Sequence, residues 1–89
     1  MHDRALMDDL LRKIEEVARR EGALRVKRLS VNLGALSHMT PEHFVEHFDA
    51  ASCGTVAEGA AVECHCETNT AAPDAQGIRL RALELEYPR

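Results

Sequence analysis

The chain has no tryptophan, two phenylalanines and one tyrosine in 89 residues, so its core must be thin and almost wholly aliphatic. No stretch approaches 18 consecutive apolar residues, which argues against a membrane-spanning helix. Cysteine is scarce and odd in number, three in all, and no basic start leads into an apolar run like that of a signal peptide. A disulfide framework is therefore not expected, and the expected location is cytoplasmic. Lys and Arg are missing from Leu29 to Ile78, a stretch that holds seven acids and four of the five His. With a formal charge of −4, the chain is a poor match for a nucleic-acid backbone. It carries no Gly-rich phosphate loop, no G-x-S-x-G elbow and no H-E-x-x-H helix, so it is read as a binding protein and not an enzyme. Its length allows one domain, residues 1–89.

What is present is regular. Leu6, Leu10, Leu11, Ile14, Val17 and Ala18 recur at helical spacing between Arg4 and Glu21, and Gly22 follows as a stop. Leu29, Val31 and Leu33 then alternate with Arg28, Ser30 and Asn32 as a half-buried strand that Gly34 ends. Thr40-Pro41-Glu42 reads as cap, first helical residue and first-turn acid of a second helix running to about Ser52, with Gly54 beyond it. Its buried stripe is expected to be Phe44, Val45, Phe48 and Ala51. Val62, Cys64 and Cys66 alternate with Glu63, His65 and Glu67 in a second strand. A third runs from Ile78 to about Tyr87, and its change of apolar parity predicts a bulge near Ala82. The expected class is α+β, in the order α-β-α-β-β, with two helices packed on one face of a three-stranded sheet.

Three groups of residues are candidates for metal chemistry, each with a plainer reading beside it: a frayed terminus, surface imidazoles flanking Phe44 and Phe48, and small buried thiols. At Met1-His2-Asp3 the α-amine, the His2 amide and the His2 imidazole can close two fused chelate rings, and a planar set of nitrogens suits Ni(II) or Cu(II). Asp3 adds a carboxylate. His43 and His47 share one flank of the second helix, with Glu42 close by and His38 nearby in sequence, as a secondary candidate. Cys64 and Cys66 point to one strand face, either as thiolates for a soft metal or as small hydrophobes beside Val62.

In order, Met1-His2-Asp3, the helix through Glu15-Glu16-Val17-Ala18, the segment Val26 to Gly34, Ala35-Leu36-Ser37 and Pro41-Glu42-His43-Phe44 resemble the HypA/HybF family of hydrogenase and urease nickel-insertion proteins. Gly54 to Ala60 and Ile78 to Glu86 extend the resemblance to nearly the whole chain. It implies a nickel-binding metallochaperone that holds Ni(II) through Met1 and His2 and passes it by ligand exchange to a [NiFe]-hydrogenase or urease precursor or its maturation proteins. Asp3 stands where the family has mostly Glu, and Thr40 where an acidic residue is frequent. The family's zinc-binding domain, with two C-x-x-C pairs, is absent between the second and third strands, where only the link Asn69 to Gly77 lies. No structural zinc is therefore expected, and the flanking strands are expected to meet as a hairpin. The same deletion leaves a second reading, an interaction adaptor in metalloenzyme maturation that no longer delivers metal. Neither nucleic acid nor membrane is an expected partner, while an exposed sheet edge offers pairing to a second copy.

Overall fold

The structure is a computed structural model that describes residues 2–73 and 75–88, with side chains from residue 4 onward. Two helices and three strands follow in the order α1 (His2–Glu21), β1 (Arg25–Leu33), α2 (Pro41–Ala51), β2 (Ala61–Cys66) and β3 (Ile78–Glu86). This is the expected α+β architecture.

Helix α1 buries Met7, Leu10, Leu11, Ile14 and Ala18 and half-buries Leu6 and Val17. Met7 widens the stripe read from the sequence, because it lies one turn before Leu10 and Leu11. The helix ends where Gly22 takes φ +68°, a left-handed conformation that glycine adopts without penalty. There the Gly22 N–H donates to Arg19 O at 3.1 Å and the Ala23 N–H to Ala18 O at 2.9 Å. This double bond pattern satisfies two carbonyls that a helix end leaves open.

Helix α2 starts as its sequence requires. Thr40 Oγ1 accepts from the His43 N–H at 3.1 Å, and Pro41 occupies the first helical position, where no donor is needed. Phe44 and Phe48 stack with ring centroids 5.9 Å apart and are fully buried. The expected stripe needs one correction: Ala51 is exposed, and Ser52 is buried in its place. Ser52 stands four residues after Phe48, and its N–H caps the Phe48 carbonyl at 2.8 Å, which carries it beneath the sheet-facing side.

The sheet order is β2-β1-β3, with β2 parallel and β3 antiparallel to β1. The crossover through α2 makes β2 parallel. Consequently β2 and β3 are not neighbours, and the hairpin expected between them does not form. Cys66 and Ile78 both register against Leu33 from opposite sides, so the link spans two strand spacings, roughly 9.5 Å, across the end of β1. It is tied down on the way. Gly34 N–H donates to Gly77 O at 2.9 Å and Leu36 N–H to Ala75 O at 2.7 Å.

Leu29, Val31 and Leu33 pair with Val62, Cys64 and Cys66 on one side and with Leu83, Leu80 and Ile78 on the other, so one face of the sheet is apolar. Both helices cover it, α1 against β3 and α2 against β2. The parity change in β3 arises as expected. Leu80 and Ala82 oppose the consecutive residues Val31 and Ser30, leaving Arg81 as the additional residue of a bulge. A second irregularity at Lys27, between Val26 and Arg28, lets Val26 and Leu29 face the core together.

Candidate metal centre

The α-amine and side chains of Met1, His2 and Asp3 lie outside the described residues. The backbone of His2 does not, and it opens α1. An N–H in the first helical turn has no intrahelical acceptor, and the positive end of the helix dipole favours a deprotonated amide there. Both effects suit a metal-bound amide nitrogen.

The same end of α1 walls a cleft. Ala5 and Leu6 line one side, Leu36, Ser37 and His38 from the β1–α2 turn a second, and Gln76 from the link a third. The turn is closed by the Ser37 N–H donating to Gly34 O at 3.0 Å. His38 has φ +58°, the one positive φ among the described non-glycine residues. A side chain in that region costs roughly 1–2 kcal/mol, although histidine visits it more often than most residues do. Ser37 is buried, and its Oγ has no hydrogen-bond partner among the described residues.

On its other side, the same turn borders a second groove, which Ser37 and His38 also line, together with Thr40, Cys66 and Glu67. Cys64, one strand step inward from Cys66, is half-buried. Burial pushes its thiol above the usual cysteine value, with smaller contributions from Cys66 and Glu42. Cys64 thus stays protonated near neutral pH, as a small core residue and not a ready thiolate. Cys53 and Cys66 are exposed.

His43 and His47 are brought together as their spacing requires, with ring centroids 4.3 Å apart and planes tilted by 32°. Both are exposed on α2, as is Glu42 in its first turn. His38 belongs elsewhere, in the β1–α2 turn between the two grooves. Among the described residues, no three His, Cys, Asp or Glu side chains gather into a group that would hold a metal.

Sequence reasoning missed one polar cluster, on the sheet face away from the helices. Glu63 accepts from Ser30 Oγ at 3.2 Å and contacts His65 Nε2 at 2.9 Å. The bond to His65, then that to Ser30, holds the Glu63 carboxyl below its ordinary value. The i, i+2 spacing of Glu63 and His65 in a strand was the available signal.

Taken together, these observations define a small α+β domain in which Ala5 and Leu6 of the N-terminal helix and His38 of the β1–α2 turn line one cleft. A family model described as hydrogenase/urease nickel incorporation, metallochaperone, hypA matches residues 1–77, and the chain belongs to this HypA family. The hydrogenase maturation factor HypA of Dechloromonas aromatica is 41% identical over 63 residues, 71% of this chain and 56% of that protein. The one from Thermococcus kodakarensis is 40% identical over 63 residues, 71% of this chain and 45% of that protein. The chain thus spans about half the length of the curated relatives it matches. The solution structure of the Ni metallochaperone HypA from Helicobacter pylori shares the fold, with TM-score 0.75 and 19% identity over 94% of this chain and 97% of that one. Among the described residues no helix is long and apolar enough to cross a membrane.

Proposed function

We propose that residues 1–89 are a single nickel-binding unit of a metallochaperone for maturation of a [NiFe]-hydrogenase or urease. Ni(II) is the cargo. Met1 supplies its α-amine, His2 its amide nitrogen and imidazole, and Asp3 a carboxylate at the edge of the site. The ion leaves by stepwise ligand exchange to a maturation protein or the enzyme precursor, because each nitrogen donor at an open site can be replaced in turn. The observation that carries this reading is the family match, which begins at Met1 and includes the Met-His start. The placement of the α1 opening turn against a cleft supports it. In this reading the short link between β2 and β3 replaces a zinc-binding domain, and nickel binding proceeds without structural zinc.

Calorimetric nickel titration of the untagged protein tests it. The His2→Ala variant should lose the tight site, a fall of at least about 100-fold, since removal of one imidazole also breaks a chelate ring. Equal affinities would remove the N-terminal site. A second reading, an interaction adaptor without metal delivery, rests on the short link. It predicts that binding to a maturation partner is the same for wild type and His2→Ala. His43 and His47 remain a two-imidazole secondary candidate in this scheme, supported by their 4.3 Å ring separation, while Glu42 does not gather with them into a group that would hold a metal.

A further inference from the structure

We propose that β3 is a dimerisation edge, on which a second copy of this chain adds its own β3 antiparallel across a two-fold axis. The inference is independent of the nickel reading above. β3 is an outermost strand of the sheet, and among the described residues only β1 pairs with it. Such an edge is a template for another strand unless its side chains repel one. The charges of β3 are segregated along its length. Arg79 and Arg81 occupy its first half, and Glu84 and Glu86 its second. A parallel second copy would set like charges side by side, whereas an antiparallel one sets each arginine against a glutamate.

One register matches charge and face together. With Leu83 of both copies at the axis, Leu80 stands opposite Leu85, Arg79 opposite Glu86, and the bulge at Arg81 and Ala82 opposite Glu84. Leu80, Leu83 and Leu85 register with Val31, Leu29 and Val26 on the helix-covered face, and Arg79, Glu84 and Glu86 with Asn32, Arg28 and Arg25 on the open one. The bulge makes this possible. Arg79 and Glu86 are an odd number of positions apart and would face opposite sides of a regular strand, but the additional residue puts both on the open face. The apolar side of β3 is also unfinished. Ile78, Leu80, Leu83 and Leu85 are only half-buried, although Leu29 and Val31 on the neighbouring strand are wholly buried, and a further strand would cover them. Glu86 already bonds Arg25 at 2.7 Å, and Glu84 lies 3.6 Å from Lys27. A carboxylate has lone pairs for a second cation, so each glutamate can stand between a cation of its own β1 and an arginine of the second copy.

Charge reversal in the full chain tests the edge and its register. Sedimentation equilibrium of the wild type should show a reversible monomer–dimer equilibrium between about 10 μM and about 1 mM, the range in which a weak contact is read. Arg79→Glu with Arg81→Glu makes the strand acidic throughout, and Glu84→Lys with Glu86→Lys makes it basic throughout. Self-association of each double variant should weaken by at least about tenfold, because every charged pair across the axis becomes like-charged. An equimolar mixture of the two should associate again. So should the chain with all four substitutions, whose charges are segregated once more, and this restoration separates a pairing defect from a folding defect. Amide hydrogen exchange in the wild type should slow with rising concentration in β3 and not in β2. A wild type that stays monomeric throughout that range would overturn the proposal. Self-association unchanged in both double variants, a mixture and a four-substitution chain that both stay monomeric, or concentration-dependent protection confined to other elements would each overturn it as well.

Discussion

The middle of β1 and the turn that follows it are built on opposite terms. Within the strand, Leu29 and Val31 are wholly buried, paired on both sides and covered by two helices. Five residues past its end, His38 is exposed in a left-handed backbone beside a buried hydroxyl with no partner. The first region holds the fold through apolar burial and backbone pairing on both sides, broken only by the bulges at Lys27 and Arg81, although Asn32 near its end also buries an Oδ1 with no partner among the described residues. The second leaves conformational preference and hydrogen bonding incompletely satisfied, as is common where a ligand completes the structure. The packed core and the proposed nickel site therefore occupy separate parts of a very small domain, and each is expected to be perturbed with limited effect on the other.

The largest expected effect comes from the core side. Phe48→Ala removes a fully buried ring stacked on Phe44 and should cost about 3–5 kcal/mol, read from denaturant unfolding. Nickel stoichiometry of the fraction still folded should be unchanged. If it falls as well, the two regions are coupled more tightly than this separation allows. An intermediate effect is expected at Thr40, where Oγ1 accepts the His43 N–H. Thr40→Ala should cost about 1 kcal/mol without changing tight nickel affinity. A parallel loss of affinity would show that the cap also positions the cleft.

The smallest effect is expected on the open sheet face. Glu63 has its carboxyl held below the ordinary value of 4.5, first by the bond to His65 and then by that to Ser30. A depressed folded value adds stability above that ordinary value, and this stability disappears as the pH falls through the lowered one. Glu63→Gln should therefore leave the melting midpoint near neutral pH almost unchanged and flatten its decline on acidification. High salt should erase the difference, because the pair is exposed.

Periodicity made most elements legible. Both helices, their caps, the three strands and the bulge in β3 follow from local spacing and turn chemistry. Ala51 was misplaced because the stripe through Phe44 and Phe48 continues at Ser52, where a capping N–H compensates for a buried polar residue. The hairpin was misplaced for a different reason. Alternation identifies a strand's face but is silent about its neighbour, and only the α2 crossover sets β2 and β3 on opposite sides of β1. The histidines divide in the same way. His43 and His47 meet because i and i+4 must meet on a helix. His38, near them in the chain, lies instead in the tight turn after β1, between the cleft beside α1 and the groove with Cys66 and Glu67.

The sequence by itself determined the helices, the strands and the apolar face of each, since these depend on residues a few positions apart. Tertiary structure alone decided the strand order, the crossing of the short link over the end of β1 and the company of His38. These depend on segments more than thirty residues apart, such as Ala5, His38 and Gln76, which meet only when the apolar faces pack into one core. Hydrophobic burial is non-directional, so local spacing can say which faces must be covered but not which distant segment covers them.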